Sequence, residues 1–152
     1  MIVVRPSGVL VCDQKLLVMR YQYGGRDRFN LPGGNLESNE DIRSCLFREF
    51  NEELGLKVVS EDLLAAVETF IGDRYVLHLV FPIRSYTGQP CLNPQYTKAL
   101  ELLWLTSKEL EEAPLYPAIG IGLARWMEKG VLGGGVFRGR ISQPWFDNKP
   151  TL

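Results

Sequence analysis

GNLESNEDIRSCLFREFNEELGL, residues Gly34 to Leu56, reads as a helix whose polar face works against helix stability. Ile42, Leu46, Phe50 and Leu54 recur every four residues and give an apolar stripe. Ser38 and Asp41 form an S-x-x-D capping pattern, and Glu40 and Asp41 put acid in the expected first turn. Gly55 is placed to end the helix. Glu49, Glu52 and Glu53 are three and four residues apart, so they share one face at the edge of the stripe. Negative charge near a helix C-terminus opposes the dipole by roughly 0.3–1 kcal/mol per exposed charge. Like-charge neighbours add roughly 0.2–0.5 kcal/mol per pair. A sequence chosen for stability alone would place lysine or arginine there, so the carboxylates point to function. Three hard oxygen donors suit Mg²⁺ or Mn²⁺ and serve zinc or copper poorly.

Outward from this helix the chain reads as hairpins with few helices, an α+β pattern in one domain spanning residues 1–152. Val3–Val4 and Val9–Val11 flank Pro6-Ser7-Gly8, which predicts a strand with a bulge or bend. Lys15–Tyr21 follows an Asp13-Gln14 turn and forms a hairpin with it. Gly24-Gly25 and Pro32-Gly33-Gly34 bracket an expected loop holding Arg26, Arg28 and Phe29. Leu63–Phe70 and Tyr75–Ile83 make a second hairpin across Gly72-Asp73. Gly88–Gln95 is a loop, Leu100–Leu105 a strand, and Thr106 or Ser107 caps a short helix through Glu112. Pro117 to Lys129 is a further helix, and a late strand falls near Val136–Ile141. His78, the only histidine, lies in an apolar run and reads as a packed or hydrogen-bonded strand residue.

The net charge of −1 gives no footprint for long nucleic acids or an anionic membrane. Cys12, Cys45 and Cys91 are far apart and in no CxxC pattern, which argues against a disulfide framework or a zinc site. The start, MIVVRPSGVLVC, has no basic region before an apolar stretch, and no run approaches the roughly 18 residues that span a bilayer. A cytoplasmic protein with reduced thiols is expected.

The same stretch resembles the Nudix box, G-x5-E-x7-R-E-U-x-E-E-x-G-U with U a bulky apolar residue. Gly34, Glu40, Arg48, Glu49, Phe50, Glu52, Glu53, Gly55 and Leu56 fill every defined position. A chance match is on the order of 10⁻⁹ per starting position from average residue frequencies. The Leu31–Gly34 entry and Glu101-Leu102-Leu103-Trp104 before a short helix are also similar to the family.

The resemblance implies the Nudix fold, a mixed sheet sandwiched between helices. It also implies metal-dependent cleavage of a pyrophosphate bond in a nucleoside diphosphate linked to another group. Gly34, Glu49, Glu52 and Glu53 are then the metal-site candidates for Mg²⁺, with Mn²⁺ as the alternative. Glu53, Glu52, Arg48 and Glu101 are the catalytic candidates. Glu53 is favoured as ligand and base, Glu101 is the alternative base, and Arg48 orients a carboxylate such as Glu52. Arg26, Arg28, Phe29, Gly33 and Gly34 are the substrate-binding candidates, with Tyr21 and Tyr23 as further stacking surfaces. The implied partner is a small nucleotide, and the family is often dimeric, so a homodimer is compatible with it. Two rival readings are a nucleotide-binding regulator without turnover and an RNA 5′-end pyrophosphohydrolase. The intact box argues against the first and the lack of a basic face against the second. Ser142-Gln143-Pro144-Trp145-Phe146 is similar to part of the NADH-cleaving signature, but it lies far downstream of the box and is read as coincidence.

Overall fold

The computed structural model describes residues 1–144, so Trp145 and Phe146 of that last motif lie outside the described residues. Thirteen elements follow one another: β1 (Ile2–Val9), β2 (Val11–Cys12), β3 (Lys15–Tyr23), β4 (Arg26–Asn30), α1 (Ile42–Leu54), β5 (Lys57–Ser60), β6 (Ala65–Ile71), β7 (Arg74–Thr87), β8 (Glu101–Thr106), α2 (Ser107–Glu112), β9 (Leu115–Tyr116), α3 (Gly120–Lys129) and β10 (Phe137–Arg140). They build two mixed sheets. The first runs β1-β7-β6-β10 with β5 also on β7, and the second runs β2-β3-β4-β9 with β8 also on β3. β1 and β10 are parallel to their neighbours, whereas β5, β6 and β7 pair antiparallel.

Strand alternation divides the apolar residues between two cores. Leu16 and Val18 of β3 meet Val9, Ala65 and Val80, with Leu110 of α2 and Leu123 and Ala124 of α3. Leu17 and Met19, one residue out of step, meet Leu10 and Phe81, with Leu46, Phe50 and Leu54 of α1. The helices therefore cover opposite sides of the sheets, in line with the sandwich that the resemblance implies. The apolar stripe of α1 is the buried face, and Gly8 makes its approach possible. A Cβ there would lie 2.5 Å from the Phe50 ring.

Several local expectations are corrected. Pro6-Ser7-Gly8 makes no bulge, because β1 keeps a regular register with β7 from Ile2 to Val9. Arg26–Phe29 is not a loop but most of β4, paired to β3 with Tyr23 opposite Arg26. Its turn, Gly24-Gly25, has φ of 57° and 75°, the left-handed pair that a tight hairpin needs. α1 starts later than the Ser38 pattern implied: Asp41 caps it by accepting from the Ser44 N–H at 2.8 Å. Glu40 and Asp41 thus precede the first turn. α3 begins at Gly120, three residues after the expected Pro117. The short β5 and β9 had no counterpart in the sequence reading. The hairpins at Asp13-Gln14 and Gly72-Asp73, the strand β8 and the Thr106-capped α2 all form. His78 is buried in β7, with Nε2 2.9 Å from Thr69 Oγ1.

Candidate active site

The box folds as a loop clamped to a helix. Gly33 bridges Ser7, the Gly34 N–H donates to the Pro6 carbonyl, and the Leu36 N–H donates to that of Val4. These bonds lay residues 33–36 along β1 and bring Gly34 over α1. The φ of Gly34 is not left-handed, and its role is room. A Cβ there would sit 2.1 Å from the Glu49 carboxyl carbon. Gly55, by contrast, ends α1 with φ 68° as expected.

Arg48 gathers the acidic groups. Its Nε and Nη2 grip both oxygens of Glu40 at 3.0 and 2.7 Å. Its Nη1 donates to Glu49 Oε1 at 2.9 Å and to Glu52 Oε2 at 3.2 Å, and lies 3.7 Å from Glu37. The two-point contact with Arg48 and the Glu37 N–H hold the Glu40 carboxyl down at about 2. The same acids raise the guanidinium further above its ordinary range. Arg48 does reach Glu52 one turn on, as the spacing implied.

Glu53 has no such partner. It is 9% exposed, and its Oε2 is buried without a hydrogen bond among the described residues. Burial first, and then the nearby Glu49 charge, push its carboxyl up to about 8. Its backbone carbonyl accepts from the Asn93 N–H at 2.9 Å, and that of Leu54 accepts from Cys91 at 3.1 Å. The loop before β8 is thereby fastened to the end of α1, and Tyr21 Oη meets Thr97 Oγ1 at 3.1 Å.

These groups line an open cleft of about 440 Å³. Of the expected residues it contains Gly33, Gly34, Arg48, Glu49, Glu52 and Glu53, with Tyr21 and Tyr23. Arg26, Arg28, Phe29 and Glu101 are not among its lining. Phe29 packs on the core of α2 and α3, because it alternates with Arg28 and Asn30 along β4. Arg26 and Arg28 pair with Tyr23 and Tyr21 and share their strand face, next to lining residues of the cleft. Glu101 pairs with Arg20 at 2.9 Å on the other face of β3. The sequence reading missed Arg5, Asn30, Asn35, Glu37 and Tyr96. Arg5 carried a readable signal, a lone charge inside an apolar strand.

Comparisons with known proteins agree with this arrangement. A NUDIX domain profile matches residues 4–127. The chain is 33% identical over 118 residues to a Bacillus subtilis protein described as "Uncharacterized Nudix hydrolase YvcI", covering 74% of this chain and 71% of that protein. An RNA pyrophosphohydrolase of Saccharophagus degradans is 31% identical over 72 residues, covering 47% of this chain and 42% of that one. Among solved structures, a MutT protein from Methanosarcina mazei Go1 superposes with a TM-score of 0.69 at 19% identity, over 84% of this chain and 96% of that one, a likeness of fold. With the box, the clamp and the acidic cleft in place, the chain belongs to the Nudix hydrolase family.

Proposed function

We propose that this enzyme hydrolyses the pyrophosphate link of a nucleoside diphosphate joined to another group, with Mg²⁺ or Mn²⁺ as its cofactor. Hydrolases of this family generally depend on a divalent metal, and the observation that carries the reading is the buried Glu53 Oε2 without a hydrogen-bond partner among the described residues. A buried carboxylate oxygen beside a second carboxylate is stable in its charged form only if a cation joins it. Glu49, Glu52, Glu53 and the Gly34 carbonyl would hold that ion. Among the described residues no three acidic, histidine or cysteine side chains already form a cage. Magnesium keeps waters and uses few carboxylates together with substrate phosphates. When bound, the ion neutralises diphosphate charge and lowers the pKa of water.

The remaining work falls to the chain itself. Gly34 leaves the space in which the Glu49 carboxylate stands. Arg48 fixes Glu49 and Glu52 through one nitrogen while its other two nitrogens are anchored on Glu40. The Glu53 carboxylate accepts the proton of the attacking water, as Arg48, which engages Glu49 and Glu52, does not reach it. Water attacks phosphorus, and the bridging oxygen leaves with the other phosphate. Arg26 and Arg28 meet the outer part of the substrate beyond Tyr23.

The test is a screen of nucleoside triphosphates, nucleotide sugars and dinucleotides with Mg²⁺ in oxygen-18 water, with products read by mass. The label is expected on a phosphate product, and turnover is expected to stop in excess chelator. Label on a sugar carbon, or full turnover with chelator, overturns the proposal.

A further inference from the structure

Two arginines line the cleft, and only one is committed to protein carboxylates. Arg48 is held by Glu40, Glu49 and Glu52. Arg5 makes one long hydrogen bond, from Nη2 to the Leu31 carbonyl at 3.4 Å, and no salt bridge among the described residues. A guanidinium carries five N–H donors, so most of this fork is left for something else. It is half-buried, and its position is set by the fold rather than by a loop. β1 and β7 pair in parallel and set Arg5 beside His78. His78 is wholly buried, and burial together with the Arg5 and Arg74 charges pushes its imidazole down to about 3. Its Nε2 meets Thr69 Oγ1 at 2.9 Å, and the Thr69 hydroxyl lies 3.3 Å from that of Tyr116. His78 behind Arg5 is therefore uncharged and does not neutralise the guanidinium. On the cleft side Arg5 shares the lining with Tyr21, Glu49, Glu52 and Glu53, at the acidic end.

We infer that Arg5 is a substrate-binding residue that grips a phosphate of the scissile diphosphate at the acidic end of the cleft. This rests on the proposed hydrolysis but names a contact that the box does not supply. A planar fork matches two phosphate oxygens at once, and partial burial strengthens the pairing over an exposed one. The arrangement also answers an electrostatic need. Glu37, Glu49, Glu52 and Glu53 would repel a diphosphate, and Arg48 is already occupied by carboxylates.

The test uses imidodiphosphate, a diphosphate that is not hydrolysed at its bridge, titrated calorimetrically into the whole protein with Mg²⁺. Arg5→Gln is expected to weaken binding about 10- to 100-fold, the usual loss for one charge-assisted pair. Arg5→Lys, which keeps the charge but loses the fork, should fall between. Arg125→Gln on α3, outside the cleft, should bind as wild type does. In steady state with a substrate found in the screen, Arg5→Gln should raise KM far more than it lowers kcat. Equal binding by wild type and Arg5→Gln overturns the inference, and so does Arg5→Lys binding as weakly as Arg5→Gln. Both variants are to be checked for the wild-type melting transition. If wild type binds imidodiphosphate through Arg5 but turns over no nucleotide, the hydrolase reading fails while this contact stands.

Discussion

Replacing Glu53 by glutamine separates the demands of the site from those of the fold. In metal-free protein the Glu53 carboxyl is raised from 4.5 to about 8 by burial and by Glu49. The unfolded chain therefore ionises first as pH rises, and the folded state lags. Stability is fully present below about 4.5 and is lost as pH climbs through about 8. Each tenfold change in proton affinity corresponds to about 1.4 kcal/mol, so a rise from 4.5 to about 8 sets a ceiling near 5 kcal/mol. At pH 7 the same two values give a loss of about 3 kcal/mol, and at pH 5 about 1 kcal/mol. The glutamine variant would have no charge to gain, and its amide can donate to the Glu49 carboxylate. In chelator, the wild-type melting temperature should thus fall relative to Glu53→Gln between pH 5 and pH 8. At about 2–4 °C per kcal/mol the gap at pH 7 reaches several degrees. Added Mg²⁺ should close the gap by stabilising wild type more than the mutant. Turnover of Glu53→Gln should collapse at every pH. Thermal melts across pH, with and without Mg²⁺ and beside an activity assay, measure all of this. Parallel pH profiles for the two proteins, or a mutant that melts lower at pH 8 without metal, would refute the reasoning.

Further outcomes follow from the same contacts. Gly34→Ala puts a methyl 2.1 Å from the carboxyl carbon of Glu49, the end of a flexible side chain, so Glu49 should swing aside at little cost to stability while kcat falls by about a hundredfold or more. A variant with wild-type kcat would mean that Glu49 is free to stand elsewhere. Glu101→Gln removes only an exposed partner of Arg20, and its kcat should stay within about twofold of wild type. A hundredfold fall in the same assay would move the base to Glu101. Tyr21→Phe loses the contact with Thr97 and should lower stability by about 1 kcal/mol, read by denaturant titration.

Local patterns carried α1 and its carboxylates. The stripe Ile42, Leu46, Phe50 and Leu54, the Asp41 cap and the Gly55 stop depend on neighbours one turn away, so periodicity exposes them. The spacing of Arg48 and Glu52 likewise foretold a contact that forms. Where the reading failed, the deciding partner was distant or the pattern polar. RDRFN has no apolar alternation because β4 lies at one end of β3, with much of it solvated, and its Gly24-Gly25 turn was the overlooked sign. The Ser38 pattern misled because Glu40 is taken by Arg48 instead of joining the helix, and Asn39 turns the chain with φ 64°.

The sequence by itself determined the family, the acidic helix face and the chemistry such a face can hold, since these rest on spacings within one short segment. Only the tertiary structure decided which groups meet across it. Arg5 reaches the cleft because β1 pairs with β7 and receives residues 33–36 along its other edge. Glu101 is excluded because a strand turns alternate residues to opposite faces, and its face lies with Arg20. Glu53 differs from Glu49 and Glu52 for the same reason. All three share a helix face, but Arg48 engages Glu49 and Glu52 and not Glu53, whose Oε2 is buried without a partner among the described residues, and burial is a property of the whole fold.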